Sequence, residues 1–107
     1  MVGTVSGTTI SFGSTVVFNS ANTSYPFLAY DSSAEKVVVA YRTTSDVGQA
    51  QVGTVTGTSI SWGTAGTYNS GATGASISCT YDSNADRIVV AYQDQGNSSY
   101  GTAAVGT

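Results

Sequence analysis

The polar loop near the C-terminus holds the residues best suited to ligand recognition. It covers residues 93–100 and combines a carboxylate, amides, hydroxyls and an aromatic ring. Such groups hold a sugar by hydrogen bonds and stacking, and they are equally the ordinary contents of a solvated surface loop. The candidate ligand-binding residues are Asp94, Asn97, Ser98 and Tyr100. The corresponding loop of the first half of the chain, residues 42–47, is shorter and different in sequence.

Catalytic and metal chemistry are not indicated by the remaining residues. The chain has no histidine, which excludes Ser-His-Asp and Cys-His nucleophile arrangements. The single cysteine, Cys79, lies in a strand of small residues and is expected to be an inert buried thiol. The acidic turns at 31–35 and 82–86 lack the ligand spacing of an EF-hand loop and are typical of hairpin turns. We therefore predict no catalytic residue, no metal site and no cofactor, and the protein is not expected to be an enzyme.

The sequence of the first half of the chain is repeated, with substitutions, in the second half. Val2-Gly3-Thr4-Val5 returns at 52–55, and Val38-Val39-Ala40-Tyr41 returns at 89–92. A period of about 50 residues is typical of a repeat architecture. We interpret the chain as a single domain of two repeats, with the following bounds: domain 1–107, repeat 1 about 2–51, repeat 2 about 52–104, and the start of a third copy at 105–107.

Each repeat predicts four short β-strands and no helix. The apolar segments are short, rich in β-branched and aromatic residues, and alternating, and none has helical spacing over more than one turn. The expected strands are 75–81, 87–92, 48–56 and 59–69, with an equivalent of the last at 9–18. Four antiparallel strands joined as a meander make one blade of a β-propeller. The predicted fold class is therefore all-β, a β-propeller with two blades per chain, and the alternative is a β-sandwich of two similar halves.

The order of the strands predicts assembly with copies of the same chain. The chain begins inside one strand of a blade and ends in the equivalent strand, so it carries one whole blade and two complementary parts. Two blades cannot close a ring, which typically needs about four to eight. We expect a head-to-tail homo-oligomer whose ring closes by oligomerisation, with a trimer favoured and a tetramer or dimer possible. The other interpretation is a fragment of a longer array whose ends overlap by accident.

Composition argues against several other partners. The only basic residues are Lys36, Arg42 and Arg87, too few for a patch that neutralises nucleic-acid phosphates. No apolar run approaches the roughly 18 residues of a membrane-spanning helix, so no membrane insertion is expected. The N-terminus lacks the regions of a signal peptide, although an extracellular or virion-surface location is favoured. The repeated tyrosines are expected to pack between sheets, namely Tyr30, Tyr41, Tyr81 and Tyr92.

The segments 2–13, 37–41 and 94–103 resemble a tandem repeat of marine phage and bacterial surface proteins. The resemblance covers nearly the whole chain and implies a surface context more than an activity. Residues 43–47 depart from the pattern because the Gly-Asn-Ser phrase is missing there. The expected assembly is also similar to small two-blade lectins that trimerise into six-bladed, fucose-binding rings. The Trp and Arg pairs of those sugar sites are absent here, since Trp62 is the sole tryptophan.

Two functions are compatible with these observations. The first is a non-enzymatic binding module that recognises a glycan or cell-surface ligand and gains avidity from a symmetric ring. The second is a purely structural, self-assembling repeat protein, or an engineered propeller fragment, with no ligand.

Overall fold

A computed structural model describes all of residues 1–107 and contains ten β-strands and no helix. The all-β prediction is therefore confirmed. No helix capable of crossing a membrane is present. The strands are β1 Gly3–Ser6, β2 Thr9–Phe12, β3 Thr23–Asp31, β4 Lys36–Thr43, β5 Gly48–Thr56, β6 Ser59–Trp62, β7 Gly66–Asn69, β8 Thr73–Asp82, β9 Arg87–Asp94 and β10 Tyr100–Gly106.

The strands form three antiparallel sheets, none of which is closed. The first is the hairpin β1–β2. The second has the order β3-β4-β5-β6, with β7 also paired to β5, and the third has the order β8-β9-β10. The second sheet thus has the meander order expected for one repeat. Its last strand, expected as 59–69, is interrupted at residues 63–65, and the expected strand 9–18 is regular only over 9–12.

The second and third sheets share one hydrogen-bonding register. Val38 lies opposite Val52 in the second sheet, and the corresponding Val89 lies opposite Val105 in the third. The pair Ala40–Ala50 is likewise matched by Ala91–Ala103. Register decides which side chains share a face, because a slip of one residue would move every side chain to the other face. Corresponding residues of the two sheets therefore point in corresponding directions.

The core lies between the second and third sheets. Val38 and Ala40 of β4 pack against Cys79 of β8 and against Val90 and Tyr92 of β9. Successive side chains of a strand point to opposite faces, so this contact defines a front face on the second sheet and a back face on the third. The prediction that strand 87–92 is buried on both faces fits β4, in which Val38 to Tyr41 are all buried, better than β9, in which Ala91 is exposed.

The tight turns follow from local chemistry. Gly7 and Gly57 adopt left-handed conformations, with φ of 58° and 60°, in the turns of hairpins β1–β2 and β5–β6. Glycine populates this region without the steric cost that other residues incur. In the turns after β3 and β8, one carboxylate oxygen of Asp31 or Asp82 accepts two backbone N–H bonds. These acidic turns are therefore hairpin turns, as predicted.

Candidate functional site

The loop predicted to bind a ligand joins β9 to β10 and is held by its backbone. Gln95 N and Gly96 N donate to the Ala72 carbonyl at 2.8 and 3.2 Å, which fastens the loop to the start of β8. Within the loop, Asn97 N donates to Asp94 O and Tyr100 N donates to Asn97 O, both at 3.1 Å. The loop therefore has a defined conformation without using its side chains.

The structure brings the four candidate residues onto one exposed loop but not into one pocket. Asn97, Ser98 and Tyr100 are exposed and Asp94 is half-buried. None of their side chains makes a hydrogen bond within the chain, and Ser98 has a left-handed φ of 53°. A shallow depression of about 420 Å³ lies next to the loop on the third sheet. It is lined by Ser76, Ile77, Ser78, Ala91, Tyr92, Gln93, Ser99 and Gly101, so none of the four candidates lines it.

The corresponding loop of the second sheet makes contacts that sequence reasoning missed. Thr73 N donates to Asp46 O at 2.7 Å, and the Arg42 guanidinium donates to Thr73 O at 3.1 Å. Arg42 also lies 3.4 Å from the Asp46 carboxylate and 5.1 Å from the centre of the Tyr25 ring. Since Thr73 opens β8, this loop bridges the second sheet to the third. The corresponding loop at 93–100 belongs to the third sheet and does not bridge it to another sheet.

Two aromatic pairs lie at corresponding positions of the two repeats, one on the second sheet and one on the third. Phe18 lies 5.1 Å from Tyr41, with the rings inclined at 59°, and Tyr68 lies 5.1 Å from Tyr92 at 56°. Phe18 corresponds to Tyr68, and Tyr41 to Tyr92. Tilted rings at this separation contribute about 0.5–1.5 kcal/mol beyond their burial. Segment 13–22 therefore packs on the second sheet in the same way as the corresponding segment 63–72 packs on the third sheet.

Asparagine turns beside these aromatics are repeated in the same way. The Asn19 side-chain amide donates to Thr23 Oγ1 at 2.8 Å, and the Asn69 amide donates to Thr73 Oγ1 at 3.0 Å. Both asparagines also accept a backbone N–H two residues later. The repetition shows that the chain enters each following sheet with one geometry.

Burial controls the acid–base properties of the core. Burial, with smaller contributions from Tyr92 and Cys79, raises the pKa of Tyr68 to about 12. Burial also raises the pKa of the Cys79 thiol. Cys79 is buried, as expected. No group of three or more His, Cys, Asp or Glu side chains is placed to hold a metal ion.

Two apolar faces remain open to solvent. The back face of the second sheet carries Leu28 and Tyr30, whose exposed fractions are 59% and 58%. The expectation that all four repeated tyrosines pack between sheets is therefore wrong for Tyr30, because no sheet lies behind it in this chain. The front face of the third sheet carries exposed Ala91, Ala103 and Val105. Both faces therefore expose apolar side chains to solvent.

Comparison with protein-family models, with curated proteins and with solved structures finds no match to this chain.

Proposed function

We propose that the chain is a non-enzymatic, self-assembling module that forms a closed β-propeller by head-to-tail association. The supporting observation is the repeated sheet-to-sheet step, with its aromatic pairs and asparagine turns. A geometry used twice within one chain can be used again between chains.

The two open faces have the composition of the two faces already in contact. Inside the chain, Val38 and Ala40 of one front face meet Cys79, Val90 and Tyr92 of the next back face. By correspondence of sequence and register, the open front face presents Val89 and Ala91, and the back face of the second sheet exposes Leu28 and Tyr30. Val39 and Tyr41, the counterparts of Val90 and Tyr92, also belong to this back face but are already buried within the chain. Leu28 takes the place of Cys79, so its larger side chain would add apolar area to the contact.

A head-to-tail contact generates a ring when its rotation closes. Three copies would supply about six blades, a common number for propellers, whereas two or four copies would supply about four or eight. We therefore assign the trimer as the expected assembly. Burying Leu28 and Tyr30 at each contact supports association, because apolar burial contributes about 25 cal/mol per Å².

Light scattering on the purified chain, coupled to size exclusion, tests this proposal. The expected result is a single species with about three times the 10.8 kDa chain mass. A monodisperse monomer at high micromolar concentration would exclude the proposed function.

Glycan or cell-surface recognition by the 93–100 loop is a second candidate. It is favoured by the unpaired side chains of Asp94, Asn97 and Ser98 and by the exposed ring of Tyr100. In a ring these loops would be displayed several times, so weak binding at each would gain avidity. A glycan array with the wild type beside Asn97→Ala and Asp94→Ala tests it, and silence of the wild type across the array would leave self-assembly as the function.

A further inference from the structure

Strand β10 carries two uncovered glycines whose counterparts in the second sheet are covered by side chains. We propose that a second copy of the chain packs on Gly101 and Gly106, two positions that we call the docking seats. Phe18 and Thr23 of that copy would pack on Gly101. Its Ile10 and Phe12 would pack on Gly106. This inference rests on the proposed self-assembly and specifies which residues of the second copy complete the third sheet.

The seat at Gly106 is defined by its counterparts Gly53 and Gly3. A Cβ atom on Gly53 would lie 2.7 Å from the Trp62 ring and 2.8 Å from Ile60 Cδ1. A Cβ on Gly3 would lie 2.7 Å from Ile10 Cδ1 and 3.0 Å from the Phe12 ring. An isoleucine and an aromatic ring therefore rest directly on the glycine backbone at both positions.

Gly106 is the third glycine at this position of the repeat, and no isoleucine or aromatic side chain packs on it. It lies opposite Ile88 in β9, as Gly53 lies opposite the corresponding Val37 in β4. A Cβ on Gly106 would meet nothing closer than the Ile88 carbonyl at 3.7 Å. The space that Ile60 and Trp62 fill in the second sheet is thus open beside β10.

The seat at Gly101 follows from the same comparison. A Cβ on the corresponding Gly48 would collide with the Tyr68 ring and lie 2.9 Å from Thr73 Oγ1, whereas a Cβ on Gly101 would meet nothing within 4 Å. Gly48 is buried and Gly101 is exposed. The counterparts of Tyr68 and Thr73 are Phe18 and Thr23, which lie at the open back face of the second sheet.

The groove between the second and third sheets supports the same occupant. Its volume is about 670 Å³, and Tyr68 lines one wall while Val105 and Gly106 line the other. On the second sheet, Phe18 has two aromatic neighbours, Tyr41 at 5.1 Å and Trp62 at 5.6 Å. Tyr68 has Tyr92 at 5.1 Å but no counterpart of Trp62. Phe12, the residue that corresponds to Trp62, would fill that place if a second copy supplied it.

The hairpin that carries Ile10 and Phe12 is free to supply them. All residues of β1 and β2 are exposed, with Ile10 at 54% and Phe12 at 60%. An isolated two-stranded hairpin is marginally stable in water. Gly3 and Gly106 compete for the same pair of side chains, and β10 is already paired with β9 through Gly106. Association should therefore open the pairing of Gly3 with Phe12 rather than release the end of β10.

Substitutions of the two glycines test the seats. Gly101→Ala and Gly106→Ala should leave the circular dichroism spectrum unchanged, because each Cβ has room within the single chain. Each should weaken association at least about tenfold, because an added methyl group in a close-packed contact forces atoms apart. Gly71→Ala is the matched control: it also adds a methyl to a glycine, its Cβ meets nothing closer than Asn69 Oδ1 at 3.5 Å, and repeat 1 carries Ala21 at that place. Gly71 does not line the groove between the second and third sheets.

Phe12→Ala provides an independent measurement, since this ring is 60% exposed in the single chain and its removal should leave the fold intact. It should weaken association while Gly71→Ala does not. If the wild type forms a trimer and Gly101→Ala, Gly106→Ala and Phe12→Ala all associate equally well, the seats are wrong and the proposed assembly stands. If the wild type itself is a monomer, both proposals fail.

Discussion

At the scale of single residues, Tyr68 connects several parts of the molecule. Its ring lies over Gly48, stacks at a tilt on Tyr92, and its hydroxyl donates to the Tyr41 carbonyl at 3.3 Å. These contacts join β5, β9 and β4, so Tyr68 couples the second and third sheets. Repeat 1 carries Phe18 at the same place, so an aromatic ring occurs at this position in both repeats and the hydroxyl in only one.

The elevated pKa of Tyr68 makes alkaline stability sensitive to this residue. The folded-state pKa is about 12 against an ordinary value of 10.0, so the unfolded chain loses the Tyr68 proton at a lower pH than the folded chain. Its contribution to stability is fully present below about pH 10 and is lost as pH rises through the folded value. For Tyr68→Phe we expect a loss of about 0.5–1.5 kcal/mol at pH 7, from the missing hydrogen bond.

Urea unfolding of the wild type and Tyr68→Phe at pH 7 and near pH 11 measures this effect. The variant should lose less stability than the wild type between the two pH values. Tyr100→Phe, which removes an exposed phenol, is the control for losing one hydroxyl. An equal alkaline loss in the wild type and Tyr68→Phe would show that ionisation of Tyr68 is not linked to folding.

At the scale of elements, two hairpins of similar sequence have different surroundings. The hairpin β5–β6 belongs to the second sheet, where Ile60 is buried and Trp62 contacts Phe18. The hairpin β1–β2 has the same turn and the same register, but all its residues are exposed. The difference in environment, rather than in sequence, should decide what each hairpin contributes to stability.

Alanine at the two turn glycines distinguishes the hairpins. Gly57→Ala forces a side chain into the left-handed region and should lower the free energy of unfolding by about 1 kcal/mol. Gly7→Ala imposes the same local strain on a hairpin whose strand residues are all exposed, so the main unfolding transition should not move. The measurement is urea unfolding at a concentration low enough for a monomer. Equal losses would show that β1–β2 packs on the rest of the chain.

Much of the strand architecture could be predicted from the sequence, because alternation and duplication are local signals. Four strands per repeat and their meander order required only the spacing of apolar residues and turn residues such as Asp82 and Gly57. The contacts between sheets could not be predicted in the same way. Tyr30 and Tyr81 have the same local sequence, Tyr-Asp, yet Tyr30 is 58% exposed and Tyr81 donates to Asp86. Their environments depend on which face has a following sheet.

The candidate loop illustrates the same limit at the site. Its position and polarity were predictable, and the structure places Asp94, Asn97, Ser98 and Tyr100 together on it. The bridging role of the corresponding loop through Arg42, Asp46 and Thr73 was not predictable, because both of its hydrogen bonds use backbone atoms of Thr73. A contact made by backbone atoms does not require a particular residue type, so the sequence does not reveal it.

At the scale of the whole molecule, the chain has two different apolar faces at opposite ends of its stacked sheets. A ring of identical subunits needs such an arrangement, since a head-to-tail contact joins unlike surfaces. A two-fold dimer would instead join like surfaces. The central claim is therefore that the back face bearing Leu28 binds the front face bearing Ala91 of another copy.

Mixing two face-specific variants tests that claim most directly. Leu28→Asp places a charge on the back face and Ala91→Asp places one on the front face, both at exposed positions where the fold tolerates them. Each variant alone should be monomeric by light scattering, because every possible contact then includes one charged face. An equimolar mixture should form a heterodimer, because the intact front face of Leu28→Asp meets the intact back face of Ala91→Asp. A mixture that stays monomeric while the wild type associates, or a single variant that associates as the wild type does, would contradict head-to-tail assembly.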